Sequence, residues 1–96
     1  MSQSEEHDSL YNSPLLRMLD AFLQASVFES GLAEKTLSAY SADLTRYLQH
    51  LAINGIDNLN EVIREDVLDH MIALRKDKLS ARSVARHLSA IRRFHL

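Results

Sequence analysis

Cysteine and tryptophan are missing from this chain of 96 residues, which has one proline, two glycines and 6% aromatic residues. Without cysteine, disulfides and thiolate-ligated metal sites are excluded. No apolar run approaches the roughly 20 residues that a membrane-spanning helix needs. The opening Met1-Ser2-Gln3-Ser4-Glu5-Glu6 is acidic and has no apolar stretch behind it, unlike a secretory signal. These absences lead us to expect a soluble, cytoplasmic protein with no membrane association. The few glycines and the single proline matter for another reason. Each one falls where a helix boundary is expected, so the stretches between them are free to run as long helices.

Helical periodicity fills those stretches. Residues 1–12 are polar and aperiodic and are expected to form a disordered tail. Ser13-Pro14 then supplies a cap and a proline at the first helical position, where its missing N–H costs nothing. From there to about Ser30, Leu15, Leu16, Met18, Leu19, Phe22 and Leu23 fall on one side at ~100° per residue. Arg17, Asp20 and Gln24 take the other side, and Gly31 stops the helix. A second helix over residues 34–53 carries Leu37, Tyr40, Leu44, Tyr47, Leu48 and Leu51 as its stripe and is closed by Gly55. A third is expected over about residues 64–77, with Val67, Met71 and Leu74 at core spacing. Glu65 and Asp66 suit its first turn, but Ile63 and Arg64 are poor caps. Lys78-Leu79 makes a short turn, and Ser80 or Arg82-Ser83 opens a fourth helix still running at Leu96. The unfinished apolar stripe at Phe94-His95-Leu96 leads us to expect that the natural protein continues. Residues 13–96 thus read as one all-α, four-helix domain.

The formal net charge of −2 conceals an uneven distribution. Residues 1–74 set Arg17, Lys35, Arg46 and Arg64 against twelve acids, a balance of −8. Residues 75–96 set seven basic residues against Asp77 alone, a balance of +6. In the fourth helix Arg82, Arg86 and Arg93, with Ser89 beside them, share one face. Val84, Leu88, Ile91 and His95 share the opposite one. An arginine fork can donate two parallel hydrogen bonds to phosphate oxygens or to a guanine edge. An ordinary solvated face would mix signs to gain i,i+4 pairs, yet no acid follows Asp77. Both readings, solvated surface and anion-binding face, stand on the residues alone. The outer face of the second helix carries Lys35, Ser38, Ala39, Ala42, Arg46 and Gln49, where small side chains permit close approach to a groove or form inert surface.

Chemistry is sparse. The histidines offer no His-x-x-x-His pair and no cysteine partner, so neither a metal nor a cofactor is expected. His95, on the apolar face, is expected to be part-buried. Tyr40 and Tyr47 lie on the second helix's core stripe, where packing with a polar tip suits them better than catalysis. Asp66 and Asp69 read as solvated acids. No phosphate-cradling glycine loop or nucleophile–base arrangement is visible, so no catalytic residue is expected in this segment.

Two stretches carry a resemblance. Leu32-Ala33-Glu34-Lys35-Thr36-Leu37-Ser38-Ala39-Tyr40, followed by Asp43-Leu44, resembles the opening of the second helix in Xer-type tyrosine site-specific recombinases. Ser83-Val84-Ala85-Arg86-His87-Leu88-Ser89-Ala90-Ile91-Arg92-Arg93-Phe94 resembles their fourth-helix pattern, and Val62 to Leu68 looks like their entry into the third helix. XerD-like, XerC-like and phage-integrase branches stay open. The resemblance implies a SAM-like core-binding domain whose second and fourth helices cross the DNA major groove. It also implies a separate catalytic domain bearing the nucleophilic tyrosine. On matched positions Thr36, Ser38 and Ala39 would meet DNA from the second helix, and Arg82, Ser83 and Arg86 from the fourth. Lys35, Arg46 and Arg93 complete the expected DNA-binding set. Ser41-Ala42 departs from the two basic residues of many relatives, and Ala33 from their usual serine. The partners implied are double-stranded DNA at a recombination site and other recombinase protomers of the parent protein, this chain by itself being monomeric. A helix-turn-helix transcriptional module and a helical protein-interaction domain are the rival readings.

Overall fold

Helix α1 spans Pro14–Ser30, α2 Glu34–Ile53, α3 Arg64–Lys76 and α4 Ala81–His95, with a single 3-10 turn at Leu59–Glu61 before α3. This is a computed structural model, and it describes residues 14–30 and 33–95. No strand occurs among the described residues, so the architecture is the all-α, four-helix one expected. The expected tail over residues 1–12, the Ser13 cap and the Gly31 stop lie outside the described residues.

The helix ends follow from local hydrogen bonding. At the end of α2 the Gly55 N–H donates to the Ala52 carbonyl (3.0 Å) and the Ile56 N–H to that of Leu51 (2.9 Å). That paired closure needs a left-handed residue, and Gly55 has φ 77°. The same closure ends α3, from Lys78 to Arg75 (2.9 Å) and from Leu79 to Leu74 (3.1 Å). Here the left-handed residue is Lys78 at φ 67°, a conformation that a side chain with a Cβ resists. Ser80 opens α4: its Oγ accepts from the Ser83 N–H at 3.1 Å. The poor cap at Ile63 is compensated from inside α3, because Asp66 Oδ2 accepts from the Ile63 N–H at 2.8 Å. Asp66 is therefore a capping residue rather than the solvated acid expected. Ala33 precedes α2 with no side-chain cap, as its methyl dictates.

The main core lies among α1, α2 and α4. Leu15, Leu19, Leu44, Leu48, Leu51, Ala90, Ile91 and Phe94 are buried together with Tyr47, and Phe22 meets Phe94 edge-on at 5.5 Å. Fully burying a leucine of this kind is worth about 1.5–3 kcal/mol. Met18, expected on the core stripe, is instead 44% exposed.

Helix α4 is turned relative to expectation. Its buried residues are His87, Ala90, Ile91 and Phe94. Val84 and Leu88 are only half-buried, and His95 is exposed. On a wheel of ~100° per residue the buried face is rotated by about 80° from the expected stripe, towards the arginines. The small Ala90 lets neighbouring helices come close, and His87 enters because a carboxylate on α2 receives it. Neither residue has weight in a pattern of large apolar side chains.

Candidate nucleic-acid interface

The rotation of α4 brings the edge of its arginine face against α2. Arg86 donates from Nε to Asp43 Oδ2 (2.8 Å) and from Nη2 to Asp43 Oδ1 (2.9 Å), a two-pronged pair in which Asp43 is buried. These hydrogen bonds hold the Arg86 guanidinium above its already high pKa. His87 approaches the same carboxylate from within, its Nε2 lying 3.2 Å from Asp43 Oδ1. Along the same seam, the Arg93 guanidinium lies 5.9 Å from the centre of the Tyr40 ring, within cation–π range. Arg46 hydrogen-bonds Asp77 at the end of α3.

The expected DNA-binding residues therefore fall into two groups. Arg46, Arg86 and Arg93 are engaged within the fold while remaining partly open to solvent. Arg82 is exposed and makes no ion pair among the described residues, and Lys35 and Ser38 are exposed in the opening turns of α2. Thr36, Ala39 and Ser83 are half-buried, and the Ser83 Oγ accepts from the Ser80 hydroxyl at 3.1 Å. The Asp43–Arg86 pair is what fastens the α2 and α4 members of the set together. Asp43 was missing from the sequence-based set. Its signal is positional: an acid in the interior of α2, flanked by core residues Tyr40, Leu44 and Tyr47, needs a cationic partner to be buried.

Behind this seam lies a run of imidazoles. His70 of α3 is 2% exposed, and neither ring nitrogen has a hydrogen-bond partner. Its ring lies 4.9 Å from that of His50 and 6.2 Å from that of His87. Burial, with the neighbouring His50, His87 and Arg46, lowers the His70 pKa to about 4. His87 is lowered too, by burial first, while Asp43 opposes that effect. Tyr47 is buried beside His70, and burial together with the Asp66 charge raises its phenol pKa. Its Oη lies 2.6 Å from His95 Nε2. Partial burial lowers the His95 pKa. Tyr40 and Tyr47 serve packing, as expected. The buried histidines are His70 and His87, whereas His95 keeps one side exposed. Among the described residues no group of three or more His, Cys, Asp or Glu is arranged to hold a metal ion.

On the other flank of α4, a hollow of about 410 Å³ opens between α3 and α4, walled by Val62, Ile63, Val67, Leu68, Leu88 and Ile91, with Arg64, Arg92 and His95 also lining it. Leu88 is thus a wall of this hollow and not the buried core residue expected. Among the described residues no helix is long and apolar enough to cross a membrane.

The described residues thus form an all-α unit of four helices with an acidic body and a cationic last helix tied to the second. The chain belongs to the phage integrase N-terminal SAM-like domain family, whose model matches residues 19–96. It is 38% identical over 79 residues to the tyrosine recombinase XerD of Bifidobacterium longum, covering 82% of this chain and 26% of that protein. It is 40% identical over 88 residues to the XerD of Mycobacterium tuberculosis, covering 84% of this chain and 28% of that one. The XerD of Mycobacterium leprae is 39% identical over 88 residues, with the same coverage of 84% and 28%. The chain spans about a quarter of the length of these relatives. No solved structure matches it.

Proposed function

We propose that this chain is the DNA-gripping domain of a site-specific tyrosine recombinase of the XerD type. The parent protein cuts and rejoins DNA strands in concert with other recombinase protomers, in the cytoplasm, while this domain supplies half of the clamp and no chemistry. The observation that carries the reading is the +6 balance of residues 75–96, in which α4 contributes four arginines and no acid and sets its arginine face beside α2. Helices α2 and α4 together present Lys35, Thr36, Ser38, Ala39, Arg46, Arg82, Ser83, Arg86 and Arg93 to one duplex. Arg82, exposed and without an ion pair among the described residues, acts as a phosphate contact. Relatives named as tyrosine recombinases over most of this chain support the same reading.

The test is a fluorescence-anisotropy titration of duplex DNA at several salt concentrations. Log K should fall by ~0.9 per log salt for each phosphate contact. Arg82→Ala should flatten that slope by about one unit on every sequence. Arg17→Ala, on the exposed side of α1, should change nothing. Binding that ignores both salt and Arg82 would sink the reading. The hollow between α3 and α4 favours a second one, a protein-docking module, which predicts no salt-dependent DNA binding at all.

A further inference from the structure

Arg86 is half exposed, at 49% for its side chain, yet it is not a loose surface cation. A guanidinium carries five N–H donors in a rigid plane. Asp43 takes two of them, one from Nε and one from Nη2. Of the remaining three, one on Nη1 and one on Nη2 form the end-on edge of the fork, while the second Nη1 hydrogen points back along the side chain. That edge is the one able to donate two parallel hydrogen bonds to the O6 and N7 of a guanine. Asp43 cannot yield easily, because it is buried at 4% exposure and His87 Nε2 lies 3.2 Å from its Oδ1. An unbraced arginine must lose most of its rotamer freedom when it docks, whereas this one has already lost it.

We propose that Asp43 is a positioning residue for sequence recognition: it braces Arg86 so that the free edge of the guanidinium reads a base instead of roaming over phosphates. The inference rests on the DNA-binding reading above and adds a role for an acid that simple charge counting would set against DNA. Its consequence runs opposite to that expected of a plain surface charge. Removing the carboxylate should raise or preserve affinity for arbitrary DNA, since one negative charge leaves the face and Arg86 is released to the phosphates. Discrimination between sequences should fall.

The experiment starts with the duplex that the unmodified chain enriches from a randomised library, together with a scrambled duplex of the same composition. Both are titrated at one salt concentration, well below each variant's melting temperature, with the unmodified chain, Asp43→Asn, Arg86→Ala, Arg86→Lys and the Asp43→Asn/Arg86→Ala pair. Asp43→Asn should hold or strengthen binding to the scrambled duplex and cut the preference for the enriched one by roughly tenfold, the scale of one bidentate base contact. Arg86→Lys leaves the buried Asp43 in place and keeps the charge, but cannot keep a braced fork. It should lose the preference while holding affinity for the scrambled duplex. In the Arg86→Ala background Asp43→Asn should cost no further preference. An Asp43→Asn chain that melts earlier but discriminates as before, or an Arg86→Lys chain with full preference, would overturn the proposal. So would a chain that binds DNA in a salt-dependent manner yet enriches no sequence, and in that case the DNA-gripping reading survives. Absence of any duplex binding would remove that reading itself.

Discussion

The two halves of the interior are built from different materials. Between α1, α2 and α4 the contacts are leucine, isoleucine, alanine and phenylalanine, closed by the edge-on Phe22–Phe94 pair. Where α3 meets α2 and α4, the apolar side chains Val67, Met71 and Leu74 are joined by Tyr47 and three imidazoles, His50, His70 and His87. An apolar contact is indifferent to protons. A buried imidazole with no hydrogen-bond partner packs only while neutral, because a charge there would be neither solvated nor paired. The first half therefore sets how stable the domain is, and the second sets the pH range over which that stability holds.

Substitution at Leu44 probes the first half with the largest effect. Leu44 is fully buried, so Leu44→Ala should cost about 2–5 kcal/mol in denaturant melts, as buried large-to-small changes do. The cost should be the same at neutral and at mildly acidic pH, and a cost that changes with pH would break the division. Acid titration probes the second half. Unfolded His70 takes up its proton near the ordinary 6.5, while the folded residue does so near about 4. Between these values the unfolded state binds more protons, so stability is full above about 6.5 and is lost as pH falls towards 4. A displacement of that size corresponds to about 3 kcal/mol, and His87 adds in the same direction. Unfolding free energies measured across this window should fall steeply, and His70→Leu should flatten the curve. A flat curve for the unmodified chain would mean that the imidazoles are solvated.

Smaller effects sharpen the border between the halves. Leu88 is half-buried on the wall of the open hollow. Leu88→Ala should therefore cost about 1 kcal/mol, well under the Leu44 change, because part of its surface is already in water. Equal costs in parallel melts would show that the hollow is closed in solution. The smallest expected effect is a gain. Lys78 closes α3 with φ 67°, and Lys78→Gly should stabilise by up to about 1 kcal/mol through relief of left-handed strain, offset in part by glycine's greater freedom when unfolded. It should lift the whole stability curve without altering its pH slope. A changed slope would tie the α3 terminus to the imidazole cluster.

Much of the fold was legible because the terms that fix it act within a few residues. The apolar period of α2 gave its span, Glu34–Ile53, and Gly55 its left-handed stop. The charge contrast between residues 1–74 and 75–96 needed only counting. The α3 boundary was harder to see, because its cap comes from Asp66, inside the helix, and its stop is a lysine in a conformation usually given to glycine.

By itself the sequence determined four helices, their approximate ends, the acidic body and the arginine-rich last helix. All of these rest on caps, propensity and periodicity, which are local. The tertiary structure alone decided which side of α4 turned inward, and with it the fates of Asp43, Arg86, His70 and His87. The two adjacent faces of α4 are nearly equal in apolar content. The choice between them depended on how closely a neighbouring helix could approach at Ala90, and on whether a carboxylate stood ready on α2 to receive the polar groups that came with it. Those conditions link Asp43 to residues 86 and 87, and a pattern read along the chain contains no term for a contact across that separation.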